Sequence, residues 1–269
     1  MTDTVLRLRY SPDDTLPEIG VDEAGRGSFW GPLMAGAVCL PDPDTWTEEH
    51  RTLFAQIRDS KRISAKKRAV LYHEILRLVP ECAVGRVDVH EINEHGIQWA
   101  NKEAFRRAVR ALKEKKRIGA DTRCRLVIDG MLSLFHGNPH RDEEKEQAQE
   151  QEQDREFSGD EHRLMIDGDN RYLSVATASI LAKVAHDEWI QAYCKDHPEC
   201  AQRYDLVQCK GYGTAKHREA IQHYGGHELH RVVYIQYWLP GSTVSRLKRT
   251  ALHKKAAIDE NKPLFQFSD

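Results

Sequence analysis

The sequence predicts a layered fold of the α/β or α+β class, in which helices pack against a mixed β-sheet. Two apolar segments separated by a glycine-rich turn lie near the N-terminus and favour an antiparallel hairpin. Farther along, amphipathic helices alternate with short buried strands, which implies the layered arrangement. With 40% hydrophobic and 30% charged residues, the chain fits neither a membrane protein nor a fully disordered one.

The individual elements follow from the spacing of the apolar residues. The predicted strands cover residues 19–21, 33–40, 82–89 and 126–128. Ser64 is a suitable cap for the first long helix, and Pro80 stops that helix. The other predicted helices cover residues 97–116, 174–193 and 215–224.

A stretch of low hydrophobicity interrupts these elements at residues 137–163. Within it, residues 142–161 hold ten acidic and two basic side chains, a charge of −8, whereas the whole chain carries −2. The remaining residues therefore carry +6, which is compatible with a polyanionic partner. We interpret 137–163 as an acidic, disordered insertion into one domain over residues 17–240; an alternative is that it lies over a basic groove. A basic and then polar tail follows over residues 241–269.

The six cysteines form no C-x-x-C pair and have no histidines at zinc-finger spacing, so we expect free thiols and no structural zinc. The sequence contains no apolar run long enough for a membrane span and no signal-peptide pattern. We therefore expect a protein of the reducing cytoplasm.

The strongest local signal for chemistry is Asp22-Glu23, which directly follows an apolar strand and precedes Gly25-Arg26-Gly27. Two carboxylates at the end of a buried strand are unfavourable unless they bind a cation. The glycines let a ligand approach the backbone closely, and the arginine suits a phosphate. This combination suits a metal-assisted phosphodiester reaction, although short acidic and glycine motifs also occur in ordinary turns.

Two further acidic residues stand at positions that suit a site. Asp129 ends a short buried strand, where site residues are common, but an aspartate before glycine also begins simple turns. Asp187 shares one helix face with Ser179 and Lys183, and the alternative there is a surface ion pair between residues four apart. Each alternative is reasonable when the residue is considered alone.

Two other segments have features of nucleic-acid contacts. Lys61 begins a basic patch that could follow phosphates or simply form a solvated helix start. Tyr212 lies between two glycines beside Lys210, so its ring could stack on a sugar or base, or pack within its loop.

In this order, the segments closely resemble the type 2 ribonuclease H family, and its bacterial ribonuclease HII members in particular. The similarity spans residues 20 to 231 apart from the acidic insertion. The segments that carry it are residues 20–27, 59–61, 126–130, 166–169, 174–187 and 210–214, with His217 and His230-Arg231.

The resemblance implies an RNase H-like α/β core with a mixed, mainly five-stranded sheet flanked by helices, followed by a helical C-terminal region. It implies a metal-dependent endonuclease that cleaves the RNA strand of RNA–DNA hybrids. It also implies nicking of duplex DNA 5′ of a single embedded ribonucleotide, with 3′-hydroxyl and 5′-phosphate products. Ribonucleotide excision repair and primer removal during DNA replication are the processes that the family suggests.

The resemblance also implies the residues of the site. The catalytic residues, which would hold two Mg²⁺ or Mn²⁺ ions, are Asp22, Glu23, Asp129 and Asp187. The residues that would contact the substrate are Gly25, Arg26, Gly27, Lys61, Lys183 and Tyr212. The three residues from Gly25 would read the ribonucleotide 2′-hydroxyl, and Tyr212 would sense the junction with DNA.

Some alternatives remain open beside this interpretation. A ribonuclease HIII-like hybrid nuclease would need an N-terminal platform that about 18 residues before Ile19 do not supply. A non-catalytic module that binds RNA–DNA hybrids would not need all four carboxylates. His186 stands where the family usually has arginine, from which we expect greater sensitivity to pH. An apolar segment at residues 263–267 loosely resembles a sliding-clamp docking peptide. We expect a monomer with no membrane partner.

Overall fold

Five strands form one mixed sheet in the computed structural model, which describes residues 5–115, 118, 122–131, 157 and 159–242. Their order across the sheet is β3-β2-β1-β4-β5. The first three strands pair antiparallel, while β1, β4 and β5 run parallel. This arrangement confirms the predicted hairpin and the predicted mixed sheet. The strand bounds are β1 Glu18–Ala24, β2 Leu33–Cys39, β3 Cys82–Val87, β4 Arg125–Asp129 and β5 Glu161–Met165.

Helices cover both faces of this sheet and continue beyond it toward the C-terminus. In the described ranges they are α1 Glu48–Phe54, α2 Ala65–Leu78, α3 Val89–Lys113, α4 Leu173–Asp196, α5 Pro198–Arg203, α6 Leu206–Cys209, α7 Ala215–Tyr224 and α8 Val232–Ile235. The Ser64 side chain accepts the Lys67 N–H, as predicted for the cap of α2. Helix α7 has the bounds that the sequence predicts.

Three glycines let the two long helices approach the sheet closely. A Cβ atom on Gly85 would lie 2.2 Å from the Ala104 carbonyl oxygen of α3. On the other face, Gly20 and Gly36 lie directly beneath the backbone of α4. Each side of the sheet therefore carries one long helix, and most of the apolar core lies in these two layers.

A separate apolar cluster holds the C-terminal helices together around Trp30, which is fully buried. The Trp30 ring contacts Tyr193, Tyr204 and His230. This cluster joins the turn after β1 to the C-terminal helical region. None of the helices in the described ranges combines the length and hydropathy that crossing a membrane requires.

Several predicted boundaries were wrong. The predicted strand 82–89 ends at Val87, and the helix predicted over 97–116 already begins at Val89. Gly96, at φ +83°, interrupts that helix, so only the part after the kink shows the predicted periodicity. The chain before the predicted domain start at residue 17 also belongs to the fold, because Arg7 exchanges backbone hydrogen bonds with Arg171 and Leu173.

The predicted insertion extends too far toward the C-terminus. Strand β5 begins at Glu161, inside the range 137–163, and Phe157 is buried in the core. Asp160 forms a buried ion pair with Lys113, at 2.6 Å. Asp160 packs because helix α3 supplies its cation, and Glu161 pairs with Arg125 of β4, which composition alone does not reveal. The rest of the insertion and the tail beyond residue 242 lie outside the described residues.

Candidate functional site

Carboxylates converge where the parallel strands β1 and β4 end. Val21 pairs with Ile128 in the register of the two strands, so the next residues are Asp22 and Asp129. Side chains in register on neighbouring strands point to the same face of a sheet. Glu23 follows on β1 and completes the group. Two adjacent carboxylates of β1 and the distant Asp129 of β4 therefore share one edge of the sheet.

Burial and mutual repulsion disfavour the charged forms of this group. The Asp22 side chain is buried, and its burial, followed by the charge of Glu23, raises its pKa well above 3.8. Burial also raises the pKa of Glu23, although Arg26 opposes this from 3.7 Å. The pKa of Asp129 rises through burial too, despite a 2.6 Å hydrogen bond from the Gly168 N–H. The cationic side chains around this edge of the sheet therefore do not neutralise the negative charge of its three carboxylates.

Helix α4 crosses this edge because glycines beneath it leave room for its backbone. Ser179 of α4 hydrogen-bonds Asp22 and lies 2.9 Å from the hydroxyl of Ser60. Two turns farther along the same helix face lies Asp187. The packing of α4 thereby brings this fourth predicted carboxylate to the side of the sheet on which Asp22 lies.

Asp187 differs from the other three because cations surround it. Lys183 donates to one of its oxygens at 2.7 Å, and Lys210 donates to the other at 3.0 Å. Although burial opposes ionisation, hydrogen bonds from His186 and Lys183 lower the pKa of Asp187 well below its usual value. In the part of the chain that the structure describes, no three His, Cys, Asp or Glu side chains converge as a preformed metal site.

His186 lies beneath the turn that follows β1. Its ring is fully buried, and burial lowers its pKa. A Cβ atom on Gly25 would lie 2.5 Å from that ring, and Gly25 also has φ +87°, so only glycine fits there without strain. The turn therefore packs on α4 and leaves Arg26 and Gly27 exposed.

Tyr212 packs against α4 beside this turn, and its backbone forms an antiparallel bridge with Ser28. Lys183 sits 5.0 Å above its ring, and the ring of His186 lies 5.8 Å away. The loop that carries Tyr212 is joined to the turn after β1, because the Phe29 and Trp30 N–H groups both donate to the Gly211 carbonyl. Lys183 thus contacts both Asp187 and Tyr212, which connects two of the predicted site segments.

Lys61 reaches the carboxylate edge through a residue that the sequence reasoning missed. Its side chain is 83% exposed, and its amine lies 3.7 Å from Asp169. Asp169 is buried, and burial followed by the charge of Asp129 raises its pKa. One of its oxygens accepts no hydrogen bond. The signal in the sequence was the segment at 166–169, to which no role was given.

The structure brings Asp22, Glu23 and Asp129 to one sheet edge, and Lys183 joins Asp187 to Tyr212 beside α4. Asp187 pairs with lysines, and Lys61 extends into solvent. Lys210 and Arg231 were also missed as part of the region, although both stand in segments that carry the family resemblance. Side-chain type and spacing could not reveal that one binds a carboxylate and the other binds backbone carbonyls.

Comparison with known proteins points to the same family as the spaced sequence motifs do. The family model described as Ribonuclease HII matches residues 19–237. A Ribonuclease HII of Prochlorococcus marinus is 34% identical over 218 residues, which cover 80% of this chain and 94% of that protein.

Solved structures share the fold. One is the PCNA:RNase HII complex from Archaeoglobus fulgidus, with a TM-score of 0.54, 23% identity, and coverage of 80% of this chain and 94% of that one. Another is Bst-RNase HIII in complex with Mn²⁺, with a TM-score of 0.56, 18% identity, and coverage of 83% and 69%. The predicted RNase H-like core with a mixed five-stranded sheet is confirmed.

Proposed function

This chain belongs to the ribonuclease HII family and is an endoribonuclease that acts on RNA–DNA hybrids, and we propose that it also nicks duplex DNA on the 5′ side of a single embedded ribonucleotide. The products would carry a 3′-hydroxyl and a 5′-phosphate. The observation that carries this proposal is the meeting of Asp22, Glu23 and Asp129 at one sheet edge beside the exposed backbone of Arg26 and Gly27.

The chemistry of the donor set fits divalent cations. Carboxylate oxygens are the ligands that Mg²⁺ and Mn²⁺ prefer. The raised pKa values of Asp22, Glu23 and Asp129 mark a site that a cation would stabilise, and the buried carboxylate of Asp169 adds further negative potential. We propose that these three residues and Asp187 hold one or two such ions, which would activate water and neutralise charge at the reacting phosphate.

Asp187 has a distinct part in this proposal. Although burial opposes ionisation, the hydrogen bonds from His186, Lys183 and Lys210 keep its carboxylate ionised at neutral pH, so it needs no proton loss before it can bind a cation. Both lysines are half-buried and flexible enough to turn toward phosphates instead. We propose that Lys183 and Lys61 contact the substrate backbone, which would help to place the scissile phosphate at the carboxylates.

Selection of RNA requires contact with the 2′-hydroxyl. We propose that the turn at Gly25, Arg26 and Gly27 makes this contact with its backbone N–H groups, which the small glycines leave accessible. Tyr212 would stack on the adjoining deoxyribose. The Lys183 ammonium group lies 5.0 Å from the centre of the Tyr212 ring and helps to hold the ring in place.

The test is a cleavage map on a labelled duplex with one ribonucleotide, with Mg²⁺ or Mn²⁺ and with EDTA. We expect one nick 5′ of the ribonucleotide with metal and none with EDTA. Cleavage of a uniform hybrid without nicking of the single ribonucleotide would contradict the proposal and favour a ribonuclease HIII-like preference.

Tyr212 permits a sharper test of junction sensing. We expect Tyr212→Ala to lower kcat/KM on the single ribonucleotide by about 10-fold or more, because stacking contributes roughly 1–3 kcal/mol. The loss on a long hybrid should be smaller. Tyr212→Phe is the matched control, since it keeps the stacking ring. Equal losses on both substrates would remove Tyr212 from this role.

We also propose that the segment at 263–267 contacts a sliding clamp. The supporting observation is the similar fold of the Archaeoglobus fulgidus protein, whose structure is a complex with PCNA. The segment itself lies outside the described residues. Calorimetric titration of a clamp with the full chain and with a chain ending at residue 262 tests the contact, and equal binding would contradict it.

A further inference from the structure

Arg231 is a fully buried cation beneath the turn that follows β1. Its guanidinium donates to backbone carbonyls: Nη1 to Gly25 at 2.5 Å and to Arg26 at 3.1 Å. Nε and Nη2 both donate to the Gly31 carbonyl, at 3.0 and 2.9 Å. Within the ranges that the structure describes, it pairs with no carboxylate. Burial lowers its pKa to about 10, which still leaves it charged at neutral pH.

A buried charge of this kind is unfavourable for stability alone. Taking a guanidinium out of water is costly, and carbonyl dipoles return less than a carboxylate partner does. The same chain does use carboxylates where it buries another arginine, Arg125, beside Glu18 and Glu161. In the described part of the chain Arg231 has no such partner. This indicates that its role is to orient the backbone carbonyls rather than to stabilise the fold.

The orientation of these carbonyls determines where the turn can donate. In a trans peptide the C=O and the following N–H point in opposite directions, and the described residues contain no cis peptide. With the carbonyls of Gly25 and Arg26 held toward Arg231, the N–H groups of Arg26 and Gly27 point away from it. Both residues are exposed, and neither N–H donates to an acceptor in the described part of the protein.

Tyr234 supports the same carbonyl from a second direction. Its hydroxyl donates to the Arg26 carbonyl at 2.9 Å. Its ring stacks on Phe29 at 5.8 Å with an interplanar angle of 14°, so the ring stays in place without the hydroxyl. The Arg26 carbonyl thus has two donors from the C-terminal region, three residues apart in sequence.

We propose that Arg231, with Tyr234, is a positioning residue for ribonucleotide selectivity: it holds two carbonyls inward so that the N–H groups of Arg26 and Gly27 face the 2′-hydroxyl. This inference rests on the proposed function, in which that turn reads the sugar. Arg231 and Tyr234 act through the turn and do not touch the substrate.

The test uses Tyr234→Phe, which removes one hydrogen bond and keeps the stacked ring. Affinity is measured by fluorescence anisotropy in EDTA, for a duplex with one ribonucleotide and for the same sequence in DNA only. We expect the preference for the ribonucleotide to fall about five-fold, the effect of one hydrogen bond, with affinity for DNA unchanged. Tyr237→Phe is the matched control, because the Tyr237 hydroxyl makes no hydrogen bond among the described residues, and it should keep the full preference.

Arg231→Lys keeps the charge but loses the planar fork, so the preference should fall by at least about ten-fold. Thermal melting establishes that this variant is folded; if it is not, Tyr234→Phe alone decides. An unchanged preference in the folded variants would overturn the positioning role while leaving the proposed function intact. Equal losses of affinity for both duplexes would overturn it as well. A wild-type protein with no preference would instead contradict the reading of the 2′-hydroxyl, and this inference with it.

Discussion

The two ends of the parallel strands carry similar acidic residues in opposite electrostatic settings. At the amino ends, Arg125 of β4 lies within 2.9 Å of both Glu18 of β1 and Glu161 of β5. It also binds Asp14, and that hydrogen bond lowers the Asp14 pKa to about 2. At the carboxyl ends, Asp22 and Asp129 have no such partner among the described arginines, and their pKa values are raised.

This contrast separates carboxylates that hold the fold from carboxylates that are available to a ligand. The amino edge is neutralised within the chain, so it adds to stability and has no capacity left for a cation. The carboxyl edge is destabilised by its own charge and gains from a bound cation. The two ends of β4 show the contrast, since the strand begins with Arg125 and ends with Asp129.

The largest expected effect comes from Asp129→Asn at the carboxyl edge. We expect the metal-dependent nicking rate to fall by more than the 10–100-fold that changes outside the ligand shell cause, because a proposed ligand is lost. Removing the charge also relieves repulsion, so the melting temperature in EDTA should rise. Single-turnover cleavage and calorimetric melting measure the two effects. Undiminished nicking would exclude Asp129 from the site.

The matched control for that variant is Asp14→Asn at the amino edge. It removes a carboxylate that pairs with Arg125, so we expect normal nicking and a lower melting temperature. Opposite signs of the two stability changes would support the contrast between the edges. A lower melting temperature for both variants would contradict it.

Arg125→Met should have the next largest effect, and only on stability. It removes the 2.9 Å partner of the buried Glu18 and leaves Arg9 at 3.8 Å, and breaking a buried pair in this way costs up to about 3–5 kcal/mol. Urea denaturation measures the loss. The control is Arg163→Met, because the pair of Arg163 with Glu161 is half exposed and should contribute less than about 1 kcal/mol. Equal losses in the two variants would show that burial does not decide the effect.

The smallest expected effect is a difference in pH dependence. Asp22 has a raised pKa in the folded state, so its contribution to stability is full below 3.8 and is lost as the pH rises through the raised value. Asp14 has a lowered pKa, so its contribution is present above 3.8 and is lost as the pH falls through about 2.

Melting curves in EDTA between pH 2 and 8 test this difference. Asp22→Asn should flatten the curve on the neutral side, and Asp14→Asn should flatten it on the acidic side. If both variants change the same side of the curve, the two edges do not differ in the sense that we infer.

Much of the fold follows from local pattern. The strands β1, β2 and β4 and the helices α2, α4 and α7 lie where apolar spacing and caps predict them. The errors came from residues whose role depends on distant partners. Gly96 kinks α3 and masks the periodicity of its first turns, and Asp160 belongs to the core only because Lys113 neutralises it.

The sequence by itself determined which residue types stand at the strand ends, and through its spaced motifs it predicted the family and the candidate carboxylates. Only the tertiary structure decided how those residues interact. Strand register placed Asp22 beside Asp129, and packing over glycines brought α4, which carries Asp187, to the face of the sheet on which Asp22 lies. Arg231 reached the turn after β1 across about 200 residues of chain. Such contacts depend on long-range packing, whereas propensity, capping and periodicity act over only a few neighbouring residues.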